Sequence, residues 1–149
     1  MKLEFSGAPE IAARPDLVWE RLVDPRFVAQ SAPAVQSVEV LDANHFRVTS
    51  SFGLGSMKAS LIMDGEMFDL LPGRSARMRV RGRGPGSIIE VLSNIRVHSL
   101  RPGTVRLEWS ATTELTGTLT KLGGKLIEGI ARRLTEQFWD DFARRVGES

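Results

Sequence analysis

The chain has no cysteine and only two histidines in its 149 residues. Without thiols there is no disulfide, no redox pair and no thiolate metal site, and a reducing cytoplasm is the plain expectation. Two histidines lacking a third ligand at suitable spacing do not make a zinc site, so neither a metal nor a cofactor is expected. No apolar run approaches the roughly eighteen residues of a membrane-spanning helix. Met1-Lys2-Leu3-Glu4 opens directly into strand-like alternation, so no signal peptide is expected. Charge of one sign is also scarce: a net +2 with pI near 9.5 is too little to argue for nucleic acid as a partner. Repeats, low-complexity runs and linkers are missing. What remains is a single domain over 1–149, large enough to bury about two-thirds of its unfolded surface.

The strongest pattern comes last. Leu119, Leu122, Leu126, Ile130, Leu134, Phe138 and Phe142 recur at steps of three and four. That spacing predicts one amphipathic helix over 118–146, roughly 40 Å long at about 1.5 Å per residue. Thr118 is a candidate cap and Gly147 suits a left-handed stop. Glu128 with Arg132 and Asp141 with Arg145 are spaced for ion pairs on the wetter sides. Gly117, Gly123, Gly124 and Gly129 interrupt the first half, where each helical glycine costs about 1 kcal/mol relative to alanine. Two explanations stand side by side: close packing with a frayed first turn, or room left for a ligand. The bulky second half, with Leu134, Phe138, Trp139 and Phe142, is the expected anchor.

Upstream, the periods describe a surface for that helix to lie on. Leu3 and Phe5 alternate with Lys2, Glu4 and Ser6 in a first strand. Pro15 and Asp16 open a short helix with Val18, Trp19 and Leu22 on its apolar side, closed by Asp24-Pro25. Phe27 and Val28 carry a second short helix that Pro33 ends. From Val35 the period becomes two. Phe46, Val48, Ser50 and Phe52 share one strand face, as do Ala59, Leu61, Met63, Gly65 and Met67 in the next strand. Ala76, Met78 and Val80 follow, then Ile89, Val91, Ile95 and Val97, then Val105, Leu107, Trp109, Ala111, Thr113 and Leu115. Turns are signalled at Asp42–His45, Gly53-Leu54-Gly55, Pro72-Gly73, Gly84-Pro85-Gly86 and Pro102-Gly103. Hairpin-length connections favour antiparallel neighbours. The expected class is α+β: a curved antiparallel sheet of about seven strands wrapped around a long C-terminal helix, with two short helices after the first strand.

Motifs for catalysis are thin. His45 falls in a turn and His98 on the strand face opposite Val97. Asp64 and Glu66 share an outer strand face, which suits solvated carboxylates better than an acid and base pair. Gly82-x-Gly84-x-Gly86 lacks the spacing and following helix of a nucleotide fingerprint. Arg74, Arg77, Arg79, Arg81 and Arg83 have no acid between them in sequence until Glu90. Arg77, Arg79 and Arg81 therefore form either a solvated strand face or a docking patch for an acidic protein or anionic lipid. The inner face, by contrast, is apolar and rich in methionine, which adapts to irregular contacts. It is either an ordinary core or one wall of a cleft with Ser50, Ser93 and Thr113 as its few polar groups.

Ala13-Arg14-Pro15-Asp16-Leu17-Val18-Trp19 with Leu22-Val23-Asp24-Pro25 resembles the opening of the START-like helix-grip superfamily, which includes polyketide cyclases and lipid-transfer domains. Gly53-Leu54-Gly55-Ser56-Met57-Lys58-Ala59 and the segment from Leu119 to Gly129 resemble the carbon monoxide dehydrogenase G-subunit family within it. Pro33-Ala34 stands where that family usually has Pro-Gly, and Ser87 to Leu100 fits its pattern poorly. The resemblance implies a non-catalytic accessory protein with a hydrophobic cavity. It also implies association with a molybdenum hydroxylase of the carbon monoxide dehydrogenase type, in membrane recruitment, maturation or quinone handling. Members often carry a C-terminal extension with a membrane anchor.

Together these observations lead to a binding module for a lipid-like or quinone-like molecule, held between sheet and helix. The expected lining is Phe46, Val48, Met63, Met78, Trp109, Ala111, Leu122, Leu126 and Ile130. Arg77, Arg79 and Arg81 are the candidate partner or anionic surface, and the expected location is cytoplasmic with peripheral contact at the inner face of the membrane. Two alternatives are a cyclase- or hydrolase-type enzyme in the same cavity and an assembly adaptor acting through the arginine face. The enzyme reading requires Glu90, Asp64 or His98 to point inward.

Overall fold

The computed structural model describes residues 1–54 and 57–149, with Phe52, Leu54, Met57 and Ala59 described in backbone only. Strands β1 (Lys2–Gly7) and β2 (Glu10–Ile11) precede helices α1 (Pro15–Leu22) and α2 (Pro25–Ala29). The strands β3 (Val35–Asp42), β4 (His45–Leu54), β5 (Met57–Leu71), β6 (Ser75–Gly84), β7 (Ser87–Arg101) and β8 (Thr104–Gly117) follow. A 3-10 turn (Thr118–Leu122) then leads into α3 (Gly124–Gly147). All eight strands form one antiparallel sheet in the order β1-β8-β7-β6-β5-β4-β3, with β2 also paired to β8. The expected architecture is therefore present, with one strand more: the β2 dipeptide is too short for any periodicity to register.

Turn chemistry sets the meander. Gly73, Gly86 and Gly103 each follow a proline and have φ of 74°, 70° and 79°, the conformation a type II turn requires at its third residue. The turn expected at Gly53-Leu54-Gly55 and the inward facing of Phe52 and Ala59 fall wholly or partly outside the described residues. Asp24 caps α2, its carboxylate accepting from the backbone N–H groups of Arg26 and Phe27 at 3.0 and 3.3 Å.

The single helix expected over 118–146 is not continuous. Gly123, at φ 95° and ψ 144°, takes a conformation that other residues rarely adopt, and it separates the 3-10 turn from α3. Thr118 does not cap α3; Gly123 holds that place without a side-chain hydrogen bond. At the other end Gly147 is helical, and Glu148 ends the helix in the right-handed region with φ −92°, so no left-handed stop is used.

Apart from Ile127, the buried residues of α3 lie in its C-terminal half. Trp139, Phe142, Ala143 and Val146 are buried, joining Val18 and Leu22 of α1 and Val105, Leu107 and Trp109 of β8 in one cluster. Phe27 meets Phe142 edge-on at 5.6 Å between centroids. Arg145 does not pair with Asp141 as its spacing suggested. It reaches α2 instead, donating to the Phe27 carbonyl at 2.9 Å and the Ser31 hydroxyl at 2.8 Å. Asp141 accepts from Arg144 at 2.6 Å, and Arg132 and Glu128 pair as expected at 2.9 Å.

Candidate functional site

The two ends of α3 are treated differently by the sheet, and the site follows from that. Ile127 in the first turn is buried, yet Ile130, Ala131, Leu134, Thr135 and Phe138 are only half-buried although they face inward. Between them and the sheet lies an open cavity of about 200 Å³. Its sheet wall is built from alternate residues of successive strands, as the period of two dictates. Val48, Met63, Gly82 and Ile89 lie in one register row, and Phe46, Gly65, Val80, Val91 and Thr113 in another. Gly65 is part of the design, because a Cβ there would collide with the Phe46 ring that crosses it. Ala32 and Pro33, after α2, also line the cavity.

Of the expected lining, Phe46, Val48, Met63, Met78 and Ile130 border the cavity. Trp109, Ala111, Leu122 and Leu126 do not. Trp109 is covered by Trp139, whose ring stacks on it at 6.1 Å and 22°, and it lies against Gly7 on its other flank. Ala111, buried between its register partners Phe5 and Ser93, is too short to reach open space. Leu122 belongs to the 3-10 turn. Leu126 stands in α3 itself, four steps of four residues before Phe142, and each such step turns the side chain by about 40°, so Leu126 is 54% exposed and Ile127 takes the inward place. Counting back from the buried Val146 by threes and fours leads to Phe142, Trp139, Thr135 and Ala131, of which forward counting from Leu119 reaches only Phe142.

The interrupting glycines do not make the space. A Cβ added at Gly124 or Gly129 would meet nothing within 4 Å, and both residues are exposed. Polar groups in the lining are few. Ser93 and Thr113 face the cavity from β7 and β8, and Thr135 donates its hydroxyl to the Ala131 carbonyl at 2.7 Å. Ser50 is fully buried outside it, its hydroxyl unpartnered among the described residues. No Asp, Glu, Lys, Arg or His belongs to the described lining.

Every candidate acid or base lies on the other face of the sheet. Asp64 accepts from Arg47 at 2.7 Å, Glu90 is 4.0 Å from Arg81, and His98 is 3.3 Å from Glu108. The hydrogen bond from Arg47 to Asp64, and then their opposite charges, raise the Arg47 pKa above its ordinary value. His45 contacts Asp42 at 2.7 Å at the start of β4. No group of three or more metal-ligating side chains occurs among the described residues.

The arginine face is likewise changed by pairing across strands. Arg77 donates to Asp69 at 3.1 Å and to Asn94 at 3.0 Å, Arg79 is 3.6 Å from Glu66, and Arg83 is 3.6 Å from Asp64. Arg77 and Arg79 also lie over the Phe68 ring at 5.0 and 4.5 Å. The acids missing from the sequence around these arginines are supplied by β5 and β7, so the face is a lattice of alternating signs rather than a cationic patch.

A curved sheet holding a terminal helix over an apolar hollow agrees with what comparison with known proteins returns. The family model for the carbon monoxide dehydrogenase G subunit (CoxG) matches residues 7–147. The chain belongs to that family. No curated protein matches it in sequence. Among solved structures, a conserved protein from Geobacillus kaustophilus is similar with a TM-score of 0.86 and 19% identity, over 99% of this chain and 97% of that one. A START superfamily protein from Mycobacterium smegmatis follows at 0.72 and 14%, covering 97% of each chain. The Zhui aromatase/cyclase from a Streptomyces species gives 0.70 and 16%, over 98% of this chain and 94% of that one. At these identities the likeness establishes the START-like fold of this CoxG family member and nothing about its chemistry. None of its helices, among the described residues, is long and apolar enough to cross a membrane.

Proposed function

We propose that this CoxG family member is a non-catalytic accessory protein that holds a neutral apolar or amphipathic molecule, lipid-like or quinone-like, between its sheet and α3. The observation that carries this reading is a cavity lined by aliphatic, aromatic and hydroxyl side chains with no ionisable group among them. A carboxylate ligand would be buried there without a counter-charge, at a cost of several kcal/mol. A carbonyl or hydroxyl group, in contrast, suits the hydroxyls of Ser93 and Thr113. The volume is below the roughly 300–1,000 Å³ usual for ligand pockets. It therefore suits a single ring or a short chain, with the rest of a longer molecule at the opening.

The family name links the proposal to a carbon monoxide dehydrogenase-type molybdenum hydroxylase, whose membrane recruitment or maturation the loaded protein would assist. A cyclase-type reaction in the same space would need an acid or base, and Asp64, Glu90 and His98 stand on the far face. Native mass spectrometry of protein purified from its source tests the reading directly. A co-purifying neutral lipid or quinone is expected. Protein that is empty, and that fails to take up such molecules after solvent extraction, would refute it.

A further inference from the structure

The sheet wall of the cavity repeats one device three times. Phe46, Leu61 and Met63 all line the cavity, and each lies across from a glycine of the neighbouring strand: Gly65, Gly84 and Gly82 respectively. Phe46 and Leu61 are fully seated. A Cβ at Gly65 would collide with the Phe46 ring, and one at Gly84 would fall 2.6 Å from Leu61 Cδ2 and 3.2 Å from the Ser60 carbonyl oxygen. Both side chains are accordingly buried, at 3% and 4% exposure. These two glycines are required, because a neighbouring side chain already occupies the place of theirs.

The seat at Gly82 is different. A Cβ there would lie 3.4 Å from Met63 Cγ and 3.5 Å from Ile89 Cβ, ordinary van der Waals distances, so the buried site has room for a methyl group. Gly82 also lacks the positive φ that would call for glycine. Neither backbone nor packing therefore requires glycine at 82, although glycine weakens the interior of a strand. Met63 is only half-buried, and its unbranched thioether side chain, with several rotatable bonds, is of the type that repacks most readily. Phe46 and Leu61 are fixed parts of the wall. Met63 is a movable one, with unfilled room behind it.

We infer that Met63 and Gly82 determine the size of the molecule that the cavity accepts. Met63 settles onto Gly82, as Phe46 is already settled on Gly65, and the cavity deepens by the space its side chain leaves. As the side chains stand, about 200 Å³ is open, which suits a small ring system. With Met63 drawn back the same cavity admits a bulkier neutral apolar one. A methyl group at position 82 would block that movement without entering the space already open. The inference rests on the ligand-binding reading, and it gives control of the upper size limit to a residue that does not itself border the cavity.

Equilibrium dialysis of the full chain against naphthalene and against the larger pyrene tests the inference. The wild type should bind both. Gly82→Ala should keep its affinity for naphthalene and bind pyrene about tenfold more weakly or worse, the scale on which an apolar pocket discriminates by size. Its melting temperature should be no lower than that of the wild type. Gly82→Ala/Met63→Ala should recover pyrene binding, because the side chain that has to move is gone. Such non-additive recovery separates a size limit from a general loss of packing. Gly65→Ala, the control, should lower the melting temperature and weaken both ligands. Equal loss of both ligands in Gly82→Ala, unchanged pyrene binding, or no recovery in the double variant overturns the inference. So does a fall in melting temperature as large as that of Gly65→Ala, the mark of a glycine needed for packing. Wild type that binds naphthalene but not pyrene refutes the movement of Met63 alone, whereas wild type that binds neither refutes the cavity reading along with it.

Discussion

Trp139 of α3 stacks on Trp109 of β8, with ring centroids 6.1 Å apart and planes at 22°. The stack closes the inner end of the cavity, with Trp139 facing the space and Trp109 behind it. Phe138 and Phe142 approach Trp139 edge-on at 4.9 and 5.8 Å, so its ring is held on several sides. Helix attachment and cavity wall are thus the same side chain. Trp139→Ala should lower stability by about 3–5 kcal/mol, the usual cost of removing a buried aromatic ring, as read from urea unfolding. Trp139→Phe should cost less, and it should also abolish most of any change in tryptophan emission when a ligand enters. An emission change that persists in Trp139→Phe would place the ligand elsewhere.

Space and exposed helix surface are separated cleanly along α3, and two substitutions report on them in opposite ways. Ala131 lines the cavity, so Ala131→Phe should occupy part of it and reduce uptake of a neutral apolar dye several-fold. Gly129 faces solvent with nothing within 4 Å of an added Cβ. Gly129→Ala should leave uptake unchanged and raise stability by about 0.5–1 kcal/mol, through helix propensity and a less flexible unfolded chain. Loss of uptake in Gly129→Ala would mean that the helix must bend or open there for a ligand to enter.

The sheet was far more legible in the sequence than the helix. Alternation with a period of two has only two phases, and Met63, Val80, Val91 and Thr113 face inward as the pattern requires. A helical stripe has a continuous phase, and repeated steps of four make it drift. Leu126, Ile130, Leu134, Phe138 and Phe142 are spaced by four, each step turning about 40°, and Leu126 at the far end of that drift is exposed while the others face inward. The glycine pair at 123 and 124 signals the break between the 3-10 turn and α3. Ala131 and Thr135 escaped notice because small residues carry little hydrophobic weight, although small residues are what a helix needs over an open space. The arginine face misled for a different reason. Ion pairing between strands depends on register, and the carboxylates facing Arg77, Arg79 and Arg81 lie about ten residues away along the chain.

The turn between β3 and β4 gives a pH signature. Asp42 accepts from the Asn44 backbone N–H at 2.9 Å and contacts the His45 ring at 2.7 Å. These interactions, the backbone hydrogen bond foremost, hold its carboxyl below the usual carboxylate pKa. A carboxyl depressed in the folded state contributes stability that is present above its unfolded pKa and lost as pH falls through its folded value. Asp42→Asn should therefore reduce stability near neutral pH and flatten the acid limb of a plot of melting temperature against pH. Superimposable acid limbs for the two proteins would show that the turn contributes nothing to acid unfolding.

Arg145 joins the two ends of the chain's helical layer. Its guanidinium donates to the Phe27 carbonyl, the Ser31 hydroxyl and the Gln30 side chain, at 2.9, 2.8 and 3.2 Å, and lies 4.1 Å from the Phe27 ring centroid. The carbonyl belongs to α2, where the end of a five-residue helix leaves acceptors that the helix itself cannot satisfy. Phe27 in turn packs against Phe142, so the hydrogen bonds and the aromatic contact hold the same junction. An ammonium group offers neither the planar fork nor the stacking surface of a guanidinium. Arg145→Ala should cost about 1–3 kcal/mol, from the lost bonds and the acceptors left behind, and Arg145→Lys should recover little of it. Because α2 leads into Ala32 and Pro33, which line the cavity, both variants should also speed release of a bound dye. Full recovery of stability and release rate by lysine would reduce the role of Arg145 to its charge.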